Sequence, residues 1–424
     1  MSNILMGQFR EAMKKEDFGS ECEYTPYYRT GIDIFDYING KHDADGGISL
    51  GLPAGKAYMA IAESGVGKTT KLIQQACAIA DQFDESTIFH YDFERATSPE
   101  RVMALTGWSK EKFKNKYIHL TKNIYAESLF DGVKAIAKIK QENYEALKVD
   151  TGATDEDGNI IYALPPTIFL VDSVALIAPK DIEDSEEMKG SMGAAAIAKV
   201  NTNVFKRVMS PMEDGNIILM LVNHLTKKIE IGFAKTKAQV NYLKQDDSIP
   251  GGKAVTYLSN TLVKLEASSK LEEDKEFGVK GFYMTGILVK SRSNAAGLTF
   301  KMVFEQKNGI NNILTNYVNL KDAKLIGGAG RSYYLHSLPT VKFSQKLVVE
   351  KYNTVPEFRK AFDKDVAELY KKYLNELPES DDGELKLIDS ENNVYRDGDG
   401  DFWYEEDGDY TQVYKDGEDW VEVE

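Results

Sequence analysis

Cysteine and histidine are scarce in this chain, which has two cysteines and five histidines among its 424 residues. Two cysteines, Cys22 and Cys77, cannot form the framework of several disulfides that stabilises small secreted domains. Cys77 lies among apolar residues of a predicted helix, so we expect it to be buried. The histidines and cysteines do not cluster with the spacing of a zinc site. These absences exclude a disulfide-based fold and favour a reducing compartment.

Long apolar runs are also missing. None reaches the roughly 20 residues of a membrane-spanning helix, and residues 1–15 lack the pattern of a signal peptide. Hydrophobic residues make up 42% of the chain, which is long enough for two or three globular domains. We therefore expect a cytoplasmic protein that has no membrane partner.

Excess negative charge is confined to the end of the chain, although the formal net charge of the whole is −15. Residues 379–424 contain 18 acidic and 3 basic residues, whereas the rest of the chain has 49 of each. This segment also repeats a short motif, 394–398 and 413–417, and each copy is followed by a tryptophan. Asp-Gly pairs between aromatic and β-branched residues are hairpin signals. We predict an acidic β-meander here.

Residues 62–69, AESGVGKT, fit the phosphate-binding loop of an NTPase, with Ala62 in place of the usual first glycine. An apolar strand precedes the loop and a helix with apolar residues at helical spacing follows it. Lys68 is expected to reach the β- and γ-phosphates of ATP, and Thr69 to hold Mg²⁺ through its hydroxyl. The predicted nucleotide contacts of the loop are Glu63, Ser64, Gly65, Val66, Gly67, Lys68, Thr69 and Thr70.

Polar side chains follow three further apolar strands of the sequence. Glu94 comes after 87–91, Asp172 after 167–171 and Asn223 after 217–222. The carboxyl ends of parallel strands face the nucleotide crevice in such folds. We predict that Glu94 activates the attacking water, that Asp172 is a magnesium-side carboxylate acting through a water, and that Asn223 senses the γ-phosphate. Taken singly, each of the three is also compatible with an ordinary polar strand end.

Alternating strands and helices from residue 28 to about 324 predict an α/β fold with a largely parallel central sheet. A predicted amphipathic helix at 2–16 either packs on a neighbouring subunit or on its own domain. The predicted organisation has four parts: an oligomerisation helix and linker (1–27), a P-loop ATPase core (28–330), a small helical region (331–378) and the acidic segment (379–424).

In their order and spacing, these motifs resemble the RecA recombinases, and most closely the phage recombinases of the UvsX type. The resemblance covers roughly residues 28–325. It rests on the phosphate loop and on residues 29–33, 51–55, 92–94, 171–175, 192–193, 223–224, 250–254 and 289–292. It implies a RecA-like core that uses ATP and Mg²⁺.

The resemblance also implies roles for single residues. Glu94 matches the catalytic glutamate of the family and Asn223 its γ-phosphate sensor. Lys290 and Arg292 match a basic pair that reaches the ATP of the adjacent protomer in a filament. Arg101 occupies the position at which the family often stacks a tyrosine on adenine, and a guanidinium can stack there instead. A basic pair at a strand end is also compatible with a solvated face.

The same resemblance implies two DNA-binding loops, between residues 179 and 193 and between 225 and about 253. Lysines supply salt-dependent affinity for the DNA backbone, and apolar side chains can wedge between bases. The alternative for the second loop is a flexible surface loop without a ligand. The predicted DNA contacts are Lys189, Gly190, Ser191, Met192, Lys227, Lys228, Ile231, Phe233, Gly251, Gly252 and Lys253.

The expected function is therefore ATP-dependent homologous recombination. The protein would form helical filaments on single-stranded DNA, pair them with duplex DNA and exchange strands, with single-strand-binding and loading proteins as further partners. If the chain is encoded by a phage, we expect it in the host cytoplasm. Two alternatives remain: a hexameric replicative helicase with the same core, which the short stretch of about 27 residues before the core disfavours, and an ATP-switched DNA-binding scaffold with negligible turnover.

Overall fold

The computed structural model of the protein describes residues 24–43, 47–154, 159–183, 191–227, 240–251, 253–271 and 277–374, and most of 386–422. These residues divide into two compact units, with the boundary directly after Leu374. The predicted helix at 2–16 lies outside the described residues.

A nine-stranded sheet forms the centre of the first unit. Numbered along the chain, its strands are β1 (Ala57–Ala62), β2 (Thr87–Asp92), β3 (Tyr117–Leu120), β4 (Thr167–Asp172), β5 (Ile217–His224), β6 (Thr261–Leu271), β7 (Gly281–Ser291), β8 (Thr299–Glu305) and β9 (Gly309–Ile310). Across the sheet they follow the order β3-β2-β4-β5-β1-β6-β7-β8-β9.

The strands from β3 to β6 pair in parallel, and β7, β8 and β9 continue the sheet as antiparallel strands. Every residue of β1 and of β4 is buried, and only the last residue of β5 is not. Parallel strands with both faces covered need such continuous apolar sequences. The predicted α/β fold with a largely parallel central sheet is confirmed.

Helices cover both faces of the sheet. One face packs against α2 (Lys68–Ala80), through Leu72 and Ala76 among others. The opposite face packs against α5 (Ala126–Glu142), through Leu129 and Val133. Cys77 on α2 is buried, as predicted. The described helices are α1 (Asp33–Asn39), α2 (Lys68–Ala80), α3 (Pro99–Thr106), α4 (Lys110–Lys116), α5 (Ala126–Glu142), α6 (Tyr144–Leu147), α7 (Lys180–Glu183), α8 (Ser191–Arg207), α9 (Met209–Asp214), α10 (Lys253–Leu258), α11 (Asn312–Asp322), α12 (Val348–Thr354) and α13 (Pro356–Lys371).

None of these described helices combines the length and the apolar content that crossing a membrane requires.

Within the region predicted as a small helical part, 331–378, residues 331–374 pack into the first unit. Phe358, Phe362 and Val366 of α13 belong to the same apolar cluster that covers the α2 face of the sheet. The buried stripe continues to Tyr370, whose hydroxyl donates a hydrogen bond to Asn316 Oδ1 at 3.0 Å. Leu369 and Tyr373 of the same region are only partly buried. A three-stranded sheet, Ile326–Gly327, Tyr333–Leu335 and Leu338–Phe343, precedes these helices and was not predicted.

Short antiparallel strand pairs lie outside the central sheet of the first unit. One of them joins Val149–Thr154 with Ile160–Ala163. Three shorter pairs join Tyr27–Tyr28 with Leu52–Pro53, Lys41–His42 with Ile48–Ser49, and Thr226–Lys227 with Asp247–Ser248. The last of these pairs leads out of β5 and lies in the second predicted DNA loop.

The second unit is an antiparallel sheet of five strands that pair in chain order. Val394 and Val413 are buried within it. Tyr395 and Trp403 are backbone partners on two adjacent strands. The predicted β-meander is confirmed. Its strands are Lys386–Asp389, Val394–Arg396, Phe402–Glu406, Asp409–Asp416 and Asp419–Glu422.

Candidate functional site

The loop between β1 and α2 has a backbone that requires glycine at two positions. Gly65 and Gly67 adopt φ values of +79° and +94°, in the left-handed region that other residues avoid. A Cβ atom at Gly67 would also lie 2.5 Å from the ring of Phe304. Gly67 caps α2 without a side-chain acceptor, so the first N–H groups of this 13-residue helix point into the loop. Such a helix end attracts anions, and phosphate above all.

Lys68 is held inside this loop. Its Nζ donates hydrogen bonds to the carbonyl oxygens of Ala62 at 3.1 Å and Glu63 at 2.9 Å. Burial lowers the pKa of Lys68, while the carboxylates of Asp172 and Glu94 act in the opposite direction. The ammonium is therefore positioned by two neutral carbonyls, which phosphate oxygens can replace.

Thr69 contacts a carboxylate from the end of β4. Its Oγ1 donates a hydrogen bond of 2.6 Å to Oδ2 of Asp172, whose other oxygen, Oδ1, has no hydrogen-bond partner within the described residues. Burial raises the pKa of Asp172 to about 6, and the nearby Glu94 adds to this effect. A hydroxyl and a buried carboxylate are ligands that Mg²⁺ accepts, so the residues present fit this ion.

Glu94 lies just beyond β2, beside Asp172. Its backbone N–H donates to the carbonyl of Asp172 at 3.1 Å, and its Oε1 lies 2.7 Å from Nε2 of His224 at the end of β5. The side chains of Glu94 and His224 are 27% and 30% exposed, so solvent reaches this pair. The sequence reasoning had not foreseen that His224 holds Glu94. The only signal was that both residues lie at or just beyond the carboxyl ends of strands of the parallel sheet.

Asn223, the predicted γ-phosphate sensor, is fully buried. Its Nδ2 donates to the carbonyl of Pro250 at 2.8 Å. This bond joins the end of β5 to the segment that contains Gly251, one of the predicted DNA contacts. At this sheet edge His224, rather than Asn223, contacts the carboxylate of Glu94.

Lys290 and Arg292 lie together at the end of β7 and directly after it. Nζ of Lys290 donates to the carbonyl of Thr256 at 3.0 Å and also to that of Tyr257, and Nη2 of Arg292 reaches the same Tyr257 carbonyl at 3.3 Å. Burial, and then the charge of Arg292, lower the pKa of Lys290 to about 8. Within the described residues, no hydrogen bond or ion pair connects this pair to Lys68.

Arg101, the predicted neighbour of adenine, lies on α3. Its Nη1 donates to the carbonyl of Lys307 at 2.7 Å. Gln74 on α2 contacts the same turn through the carbonyl of Asn308 at 2.9 Å and the N–H of Ile310 at 2.8 Å. The turn between β8 and β9 thus fixes Arg101 relative to the helix that follows the phosphate loop.

The predicted DNA contacts are only partly described. Ser191 and Met192 begin α8, and Lys253 begins α10. Gly251 has a φ of +89°. Lys227 forms ion pairs with Asp246 at 3.2 Å and Asp247 at 2.5 Å, so nearby carboxylates balance its charge. The others lie outside the described residues: Lys189, Gly190, Lys228, Ile231, Phe233 and Gly252.

No protein-family model matches this chain, and a search of curated proteins finds no match. The interpretation of the site therefore depends on its own geometry and on the motifs of the sequence.

Proposed function

We propose that the first unit is a RecA-like P-loop ATPase core. One observation carries the proposal: four groups with complementary chemistry meet at the carboxyl edge of the parallel strands. Lys68 and Thr69 come from the start of α2, Asp172 from the end of β4, and Glu94 from beyond β2. This edge is where open α/β sheets bind nucleotides.

The proposed division of labour follows from the chemistry of each group. Lys68 and the N-terminus of α2 neutralise the phosphates, and Thr69 and Asp172 hold Mg²⁺. Bound Mg²⁺ supplies charge neutralisation at the phosphate oxygens. Glu94 orients the attacking water and receives its proton, and His224 keeps the carboxylate of Glu94 in place.

The DNA-directed part of the proposal is homologous pairing and strand exchange by a filament on single-stranded DNA. It is supported by the order of the sequence motifs and by the bond between Asn223 and Pro250, which joins the site to the segment around 225–253. Lys290 and Arg292 would complete the ATP site of a neighbouring protomer. Turnover would then require assembly on DNA.

Two assays test this proposal. ATP hydrolysis is measured with and without single-stranded DNA, and joint-molecule formation is measured between a circular single strand and a homologous or heterologous linear duplex. We expect hydrolysis that DNA stimulates, and joint molecules only with the homologous duplex and only with ATP.

Electron microscopy of the same reactions separates the alternatives. Helical filaments agree with the proposal. Rings that unwind duplexes without pairing would identify a helicase, and filaments without turnover would identify a scaffold. Failure of the full-length protein to bind ATP would remove the basis of the whole proposal.

A further inference from the structure

A cluster of buried ionisable groups lies behind the site, on the face of the sheet that α2 covers. His90 and Asp92 are two residues apart on β2 and therefore share a face. Asp172 on β4 pairs in register with Asp92. One ring nitrogen of His90 and one carboxylate oxygen from each aspartate lie within 4.8 Å of one another. The exposed fractions of the three residues are 0%, 0% and 1%.

Two atoms of this cluster lack a partner. Nδ1 of His90 lies 2.8 Å from the hydroxyl of Tyr117, which leaves Nε2 as the available ring nitrogen. Neither Nε2 of His90 nor Oδ1 of Asp172 has a hydrogen-bond partner within the described residues. Buried polar atoms are nearly always satisfied in folded proteins, so this pair of atoms calls for an unseen partner.

The neighbours of the cluster hold its side chains as the outer contacts of a metal site do. Oδ2 of Asp92 lies 3.0 Å from Nε2 of His119 and accepts a hydrogen bond from the N–H of Thr97 at 3.0 Å. Tyr117 fixes the other nitrogen of His90. In metal sites, a ligating histidine is fixed through its second ring nitrogen, and ligating carboxylates are themselves hydrogen-bonded.

We propose that His90, Asp92 and Asp172 form a binding site for a divalent transition-metal ion of the Mn²⁺ or Zn²⁺ class. The ligands would be Nε2 of His90, one oxygen of Asp92 and Oδ1 of Asp172. Ligands with bonds of about 2.0–2.2 Å to one ion lie closer together than 4.8 Å, so these side chains would move inward when the ion binds. An imidazole ligand favours such ions over Mg²⁺, which prefers oxygen.

This site is distinct from the proposed nucleotide-linked Mg²⁺ site. Thr69 contacts Oδ2 of Asp172, whereas the second ion would use Oδ1, so Asp172 would bridge the two ions. Two carboxylates balance the charge of one divalent ion. The positive charge would also offset the free-energy cost of burying the ionised carboxylate of Asp172. The inference does not depend on ATP hydrolysis, because the ion would bind without nucleotide.

A cobalt titration tests the proposal. Full-length protein is treated with a chelator, dialysed, and titrated with Co²⁺ in the absence of nucleotide while its visible absorption is recorded. We expect one equivalent to bind with a ligand-field band, and His90→Asn or Asp92→Asn to weaken binding by at least about tenfold. His336→Asn is the matched control that should retain binding, because His336 is an exposed histidine elsewhere on the first unit.

A second measurement on the wild-type protein covers the case in which the variants do not fold. Mn²⁺ bound to the unmodified chain should show nitrogen-14 coupling from one imidazole in pulsed electron paramagnetic resonance. The proposal is overturned if neither Co²⁺ nor Mn²⁺ binds with a dissociation constant below about 1 mM. It is equally overturned if bound Mn²⁺ shows no nitrogen coupling, or if folded His90→Asn binds Co²⁺ as the wild type does. In those cases His90 and Asp172 share a proton or a water instead.

Discussion

The phosphate-loop site and the Lys290–Arg292 pair differ in how their charges are matched. In the first, Lys68 lies close enough to Asp172 and Glu94 for the two carboxylates to oppose the fall in its pKa. Lys290 and Arg292 instead contact only backbone carbonyls of α10, and no acidic side chain of the described residues forms an ion pair with either. The two cations also repel each other.

The unmatched charge of the pair distinguishes it from the phosphate-loop site. Lys290 is half-buried and Arg292 is exposed, and burial of an ammonium without an ion-pair partner is unfavourable unless an anion binds. Under the proposal, a cation from a neighbouring protomer would meet the charge that develops on a transferred phosphoryl group at the phosphate-loop site. A filament would bring the two regions together in this way.

The largest expected effect comes from removing the base or the cation of the first region. Glu94→Gln should still bind ATP but hydrolyse it about 10²- to 10⁴-fold more slowly, because loss of a positioned base costs that much. Lys68→Ala should lose both binding and hydrolysis. Phosphate release and nucleotide binding are measured side by side, with Glu100→Gln, an exposed glutamate of α3, as the matched control. Near-normal turnover by Glu94→Gln would contradict its assignment.

The second region should fail only in the assembled state. Lys290→Ala or Arg292→Ala should leave nucleotide binding by the monomer intact and lower DNA-stimulated hydrolysis by about 10²- to 10³-fold, the usual cost of losing a cation at the developing charge. Lys270→Ala, an exposed lysine on β6, serves as the control.

A mixing experiment sharpens the same comparison. Lys68→Ala and Lys290→Ala proteins carry their defects on opposite sides of the proposed interface, so their mixture should recover part of the hydrolysis that each lacks alone. The absence of recovery in a mixture shown to co-assemble would mean that the two regions do not share a site.

What the sequence predicted correctly depends on local signals. The strands of the central sheet and of the meander have sequences that are continuously apolar or alternate between apolar and polar residues. A few neighbouring residues are enough to recognise either pattern. Thr69 and Asp172 were each proposed from a motif at the end of an element. The structure brings Oγ1 of Thr69 to 2.6 Å from Oδ2 of Asp172 because α2 packs against β4, and their role in holding Mg²⁺ stays a prediction.

What the sequence missed depends on distant pairing. Glu94 and His224 are 130 residues apart, and no local pattern links them. Asp247 forms an ion pair with Lys227, one of the predicted DNA contacts, across the strand pair Thr226–Lys227 and Asp247–Ser248. No local pattern of the sequence indicates this pairing. The helices after residue 331 have their own amphipathic stripe, and a stripe does not say which core it joins.

A smaller effect is expected from pH. The pKa of Lys290 is lowered to about 8, so its ammonium is charged below that pH and becomes neutral as pH rises through it. If this charge acts on a neighbour's nucleotide, DNA-stimulated hydrolysis should fall above about pH 8, by up to about tenfold per pH unit. Lys290→Arg, which keeps its charge, should remove this descending arm. An unchanged arm in Lys290→Arg would assign the titration to another group.

The smallest effect on hydrolysis is expected at Lys140, another buried lysine that donates to uncharged oxygens. Its Nζ contacts the carbonyl of Pro165 and, at 3.1 Å, Oγ1 of Thr167. Burial lowers the pKa of Lys140 to about 7, so the folded chain holds fewer protons there than the unfolded chain between about pH 7 and pH 10. Stability should therefore rise with pH across that window, since the unfolded state binds the extra proton.

Thermal melting between those pH values measures this contribution. Lys140→Met should flatten the rise while leaving DNA-stimulated hydrolysis unchanged at a temperature where both proteins are folded. Lys138→Met is the matched control on the same helix, because the side chain of Lys138 is 74% exposed. A loss of hydrolysis in folded Lys140→Met would contradict this expectation, because it would mean that Lys140 also affects turnover. If only the stability changes, Lys140 has a structural role and the proposed catalytic role stays with Lys290.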